Sequence, residues 1–293
     1  MTLPEPGRTA ARHLLTGALD WLGAHLHRCT LDTGGREEHA RSHKLLGETA
    51  LLARVVLRGR AGGREAARTL LEHAWKQYAL GDVLYERQLR HPAATDPLEV
   101  YACFRPAGYR HLPLETLLGH LHHRVSRQAA ELRPNRRLAV HNAARTVGLP
   151  PAQDDRALAG ATWLGRRPEP WLIDWDTAYT VTHTVYHLTD WGSRPHALPP
   201  PLRDYLHLWL PVWHDVWQEA AEWDLVGELL AVDACLPGGC LGSEAWTVLA
   251  AQRHHDGLVP RDGRPVTGPA VHRFERHFHA TAVAGLAAAL ALS

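Results

Sequence analysis

Between Ile173 and Gly192 the chain reads IDWDTAYTVTHTVYHLTDWG, with two histidines and three of its aspartates or threonines at helical intervals. At 100° per residue, Asp176, Thr180, His183, His187 and Asp190 gather on one side of a helix, with Ala178, Val181, Val185 and Leu188 almost opposite. Tyr179 and Tyr186 flank the polar side. Imidazoles beside carboxylates and phenols can move protons near neutral pH, so Asp176, Tyr179, His183, Tyr186, His187 and Asp190 are candidate acid–base residues. A surface helix ordinarily carries Lys, Arg and Glu on its outer face. Imidazoles and aspartates there suit a wet cavity inside the protein.

His183 and His187 lie one turn apart, the spacing by which two imidazoles reach one metal ion. Thr184 stands where an HExxH helix carries its general-base Glu, so a metalloprotease is not indicated. Two unrelated buried histidines are the plain alternative. A second constellation joins Asp233-Ala-Cys235 to His279, 44 residues beyond the cysteine. Carboxylate, thiolate and imidazole form a three-ligand zinc set with one open position, as catalytic zinc requires. A cysteine simply buried at a helix end is the alternative there. Trp175 and Trp191 bracket the histidine helix, and Trp209, Trp213 and Trp217 recur four residues apart. Trp175, Trp191, Trp209 and Trp213 are therefore candidate walls of a substrate pocket, since indole faces hold apolar or cationic groups; a heavily aromatic core would produce the same pattern.

The C-terminal third, with LLAVDACL, WTVLAAQRHHDGLVP and HRFERHFHATAVAGLAAAL, resembles the end of an α/α-toroid protein. That superfamily holds the protein prenyltransferase β subunits, the terpene cyclases and the lanthionine cyclases. The W-x-x-x-A-x-Q-x-x-x-D-G-x-x-P run from Trp246 is similar to their helix-and-turn repeat. The resemblance spans about 60 residues and implies zinc held by Asp233, Cys235 and His279 in a divergent bacterial branch of the superfamily.

Helices must position these groups. Ala, Leu, Arg and Glu dominate at helical spacing and few windows alternate with period two. The spacing predicts helices over roughly 8–28, 36–58, 63–90, 113–132, 135–148, 154–165, 174–191, 199–218, 220–236, 241–254 and 270–290, with a short one near 97–104. Pro211 is expected to kink its helix. Short breaks between paired helices and one helix needing a polar interior lead to a single all-α domain over residues 1–293, an α/α toroid of about six helix pairs. An open solenoid of helical hairpins is the rival architecture.

The 293 residues carry a formal net charge of +1, and no concentrated basic stripe is seen, so nucleic acid is not an expected partner. Only Lys44 and Lys76 are lysines, whereas histidines number 22. Four cysteines without a CxxC pair do not read as a disulfide framework. No run approaches the ~20 apolar residues of a membrane span, and a cytoplasmic location is expected. The first half, to about residue 150, offers little chemistry, and the Arg133–Arg137 tract reads as a loop. The function expected is a metal-assisted or acid–base enzyme of specialised metabolism, a transferase or cyclase acting on a small apolar or peptide substrate. A toroid that binds a peptide or partner protein without chemistry is the alternative.

Overall fold

A computed structural model describes residues 3–32, 36–125, 129–151 and 153–293. Among the described residues it holds fourteen α-helices and no strand. They are α1 (Glu5–Ala24), α2 (Arg36–Arg58), α3 (Arg64–Gln77), α4 (Asp82–Arg90), α5 (Asp96–Phe104), α6 (Leu112–His122) and α7 (Pro134–Val147). Then follow α8 (Asp155–Gly160), α9 (Trp163–Arg166), α10 (Trp175–Thr189), α11 (Pro200–Glu219), α12 (Trp223–Cys235), α13 (Ser243–Ala251) and α14 (Ala270–Ala291).

Local chemistry sets the boundaries. Asp174 caps α10, its carboxylate accepting the Thr177 N–H at 2.7 Å, and Asp154 does the same for α8. The helix expected over 63–90 is two helices, because Leu80 and Gly81 take positive φ (57° and 108°) and break the backbone ladder. The helix expected over 154–165 also divides, since the Thr162 hydroxyl starts a new one by accepting the Gly165 N–H. The tract read as a loop at Arg133–Arg137 instead opens α7, with Pro134 in its first turn where a missing N–H costs nothing. Helical conformation persists from Pro200 to Glu219 through Pro211.

Two sets of helices alternate along the chain. α2, α5, α7, α10, α12 and α14 each pack on the next, and α14 packs back on α2, so these six close a cycle. The others except α6 sit against that cycle, α1 on α14, α3 on α2, α4 on α5, α8 on α7, α9 on α10, and α11 and α13 on α12, while α6 packs on α4. An α/α toroid is compatible with this cyclic order. The closing contact is tight. A Cβ at Gly285 of α14 would lie 2.7 Å from the Ala18 Cβ of α1 and 3.5 Å from Leu52 of α2. The alanine-rich second half of α14, from Ala280 to Ala289, is buried throughout. Small side chains let it approach both neighbours, and the burial supplies stability that its length alone would not.

Candidate active site

Closing six helices around an axis leaves space that their inward residues must fill. Here they fill it with charge. A cavity of about 530 Å³ is lined from α2 by His43, Lys44, Glu48 and Arg54. Glu99 and Cys103 come from α5, Arg87 from α4, Arg136 and Asn142 from α7, His187 from α10, and Trp191 follows α10. Charges drawn out of bulk water need partners, and most of these have them. Arg87 grips Asp96 through Nε and, at 3.0 Å, through Nη2, Arg136 pairs with Glu99, and Arg54 donates to Asp190 at 2.9 Å.

A carboxylate–imidazole–carboxylate relay runs beside the cavity across three helices. Glu48 Oε1 lies 3.1 Å from His279 Nδ1, and His279 Nε2 lies 3.6 Å from Glu228 Oε1. Glu228 is almost fully buried on α12 and its Oε2 has no hydrogen-bond partner among the described residues. Burial works against the His279 cation, but the charge and hydrogen bond of Glu48, with Glu228 behind it, raise its pKa above the usual imidazole value. For Glu48 burial pushes upward and is outweighed by His279, so its carboxyl sits below the usual range. Lys44 Nζ stands 3.7 Å from the same Glu48 oxygen.

His187 is the opposite case. No hydrogen bond engages its ring among the described residues, and its ring neighbours are His183 (6.0 Å) and Trp191 (6.1 Å). Burial, then the charges of His183 and Arg136, drive its pKa far below 6.5, so it is neutral and offers a lone pair. His183 sits one turn below with Nδ1 2.9 Å from the Tyr179 carbonyl, which fixes Nδ1 as its donor nitrogen when the ring is neutral. His43, on α2, also has both ring nitrogens buried without a partner among the described residues, and burial lowers its pKa to about 4.

The structure separates the residues expected to act together. Val181, Val185 and Leu188 pack into the core as their spacing requires, and His187 and Trp191 reach the cavity. Asp176 does not: it lies exposed in the first turn of α10, whereas His187, three turns on, lines the cavity. Asp190 lines an adjoining cleft instead. Tyr179 donates to Asp224 at 2.7 Å and Tyr186 to the Glu228 carbonyl at 2.6 Å, so both phenols tie α10 to α12. Burial, with Asp224 and Glu228 respectively, raises both pKa values, which keeps these protons in place.

The tryptophans divide likewise. Trp175 lies partly exposed, beneath the Arg261 guanidinium at 5.7 Å. Trp213 is buried in the core, donating to the Pro170 carbonyl at 2.9 Å beside Trp163, and Trp209 is half-buried and packed against that core. Neither Trp209 nor Trp213 lines the cavity.

The three residues expected to hold zinc are engaged separately. Asp233 Oδ1 accepts the backbone N–H of Cys240 and, at 3.0 Å, that of Leu241, closing the turn after α12. Burial raises the Cys235 thiol to about 12, with Thr189 and Arg58 opposing, so it holds its proton. His279 belongs to Glu48 and Glu228. No group of three His, Cys, Asp or Glu side chains with metal-binding geometry occurs among the described residues. Aspartate and cysteine two apart on a helix point about 200° apart, so this pair needs a distortion that α12 does not supply.

The first half of the chain, read as poor in chemistry, supplies most of the cavity wall. One signal was legible: Arg54 interrupts the apolar run LLARVVL, as Glu228 interrupts DLVGELLAV. A charge in the middle of a core-facing stripe marks a polar interior.

The model of a protein family described as Domain of unknown function (DUF6895) matches residues 15–289. No curated protein and no solved structure matches the chain.

Proposed function

We propose, for a chain that belongs to this family of unknown function, that the ring interior is the active site of an acid–base enzyme acting on a small polar molecule. The reading rests on one contrast. His187 reaches the cavity neutral and, among the described residues, without a hydrogen-bond partner, whereas the pKa of His279, two helices away in the ring, is raised by Glu48 and Glu228. Environments that push two titratable groups in opposite directions assign a base and an acid.

In this reading His187 accepts a proton from the substrate. Lys44, lining the cavity 3.7 Å from Glu48, steadies the negative charge that develops, and His279 returns a proton to the substrate through Glu48. Arg54, Arg87 and Arg136 arrive already paired with carboxylates, so the wall offers both donors and acceptors. Such a wall favours a substrate that itself carries both, such as a short peptide or an amino-acid derivative, and Trp191 offers it an aromatic face. No zinc step is assigned, because Asp233 and Cys235 serve other partners.

Purified wild type and His187→Asn protein would be incubated with a small-molecule extract and the depleted compounds identified by mass spectrometry. Consumption by wild type, reduced about 10²–10⁴-fold in the variant, is expected for loss of a general base. Compounds retained by both proteins without conversion would replace the enzyme reading with a non-catalytic binder.

A further inference from the structure

A second, larger space of about 840 Å³ opens on the other side of Arg54. Six arginines line it: Arg54 and Arg58 from α2, Arg64 and Arg68 from α3, Arg145 from α7, and Arg194. Two carboxylates, Glu72 and Asp190, share the lining. Asp190 is taken up by Arg54 and Arg58, and Arg194 reaches Asp155 at 3.3 Å. Among the described residues, that leaves three guanidinium groups without a carboxylate. Arg64 donates only to the Leu57 and Gly59 carbonyls, Arg145 Nη2 donates to the Asn142 side chain, and Arg68 has no partner among the described residues.

Their spacing concentrates positive charge in one place. Arg54 and Arg58 stand four residues apart on α2, and Arg64 and Arg68 four apart on α3, a like-charge spacing that opposes helix formation. Helices α2 and α3 pack directly on each other and bring both pairs to one cleft. Leu57, Leu71, Pro106 and Tyr109 supply an apolar floor beside the charges. Guanidinium groups match phosphate oxygens bidentately and stay charged at any working pH.

We propose that this cleft binds a phosphate-bearing small molecule, its phosphates held by Arg64, Arg68 and Arg145 and its organic part lying on Tyr109 and Leu71. The site is distinct from the ring cavity and is separated from it by Arg54, which lines both. It does not depend on the ring cavity being catalytic.

Inorganic pyrophosphate would be the probe, titrated by calorimetry and by thermal unfolding, with sodium chloride matched for ionic strength. Saturable binding is expected, with a melting temperature that climbs with pyrophosphate and not with chloride. Arg68→Gln and Arg64→Gln change side chains that pair with no carboxylate, so both variants should fold. Together they should weaken pyrophosphate about tenfold or more, since a charged hydrogen bond contributes that much. Adenosine 5′-monophosphate, set against pyrophosphate, tests the apolar floor: tighter binding that Tyr109→Ala abolishes is expected. Absence of saturable pyrophosphate binding, or binding equal in wild type and the double variant, would overturn the site.

Discussion

Asp190 and Trp191 are consecutive residues that serve two different cavities. Both take positive φ, 46° and 52°, and Gly192 follows at 74°. The left-handed turn ends α10 and sends the Asp190 carboxylate to the arginine cleft while Trp191 lies in the ring cavity, stacked on Tyr186 at 4.5 Å. Non-glycine residues in that region cost on the order of 1–3 kcal/mol each and persist only where their surroundings hold them. The surroundings are visible: Arg54, Asn142 and Ser193 donate to the Asp190 carboxylate, and Arg58 donates to the Asp190 and Trp191 carbonyls.

Removing that carboxylate leaves Arg54, with 7% of its side chain exposed, without its counter-charge. Asp190→Ala should destabilise the fold by about 3–5 kcal/mol, the cost of breaking a buried pair. Asp190→Asn, which tolerates the left-handed turn, should cost less. Urea unfolding of both variants measures the difference; equal and small losses would show that the turn does not depend on the ion pair.

The Glu48–His279 contact can be checked without a substrate. In Glu48→Gln the imidazole loses its largest source of charge stabilisation, so the His279 pKa should fall, and fall further than in Glu228→Gln, where the contact is longer. Proton NMR of the histidine ring signals reads both. An unchanged titration in Glu48→Gln would remove the relay from the acid–base scheme.

Acid should weaken the fold before the carboxylates titrate. His43 and His277 are buried, and burial, with the charges of His39 and Arg276 respectively, lowers each pKa from 6.5 to about 4. The unfolded chain takes up their protons below pH 6.5 and the folded chain refuses them down to pH 4, so stability falls through that window. Each accounts for a loss on the order of 3 kcal/mol as pH falls from 6.5 to 4. His279 acts in the other direction: its raised pKa gives stability that is complete below pH 6.5 and fades as pH climbs through the folded value. Urea midpoints from pH 4 to 8 should therefore drop on the acid side, and His43→Leu should flatten that drop. A midpoint indifferent to pH in wild type would contradict the neutral, buried histidines.

At the end of α12 the expected effect is structural. Asp233→Ala frees two backbone N–H groups of the turn at Cys240 and Leu241, and should cost about 1–3 kcal/mol. Zinc content, measured by elemental analysis, should be the same in wild type, Asp233→Ala and Cys235→Ala. Zinc lost in both variants would restore these residues as ligands.

The sequence alone determined the all-helical class, because apolar periodicity and capping residues act within a few positions of one another. Val181, Val185 and Leu188 could be assigned to the core and His187 to a polar interior on spacing alone. Which polar residues meet was decided by the ring. Glu48, Glu228 and His279 lie on three helices far apart in the chain, and only the packing of α14 against both α2 and α12 brings them together. The same packing drew Asp233 and Cys235 into turn closure and core instead of a shared centre. The neighbours of α10 likewise left Asp176 exposed and placed His187 on the cavity, two residues that a helical projection puts on one face. Local periodicity fixes direction around a helix axis, but burial along that axis depends on neighbours that only tertiary structure supplies.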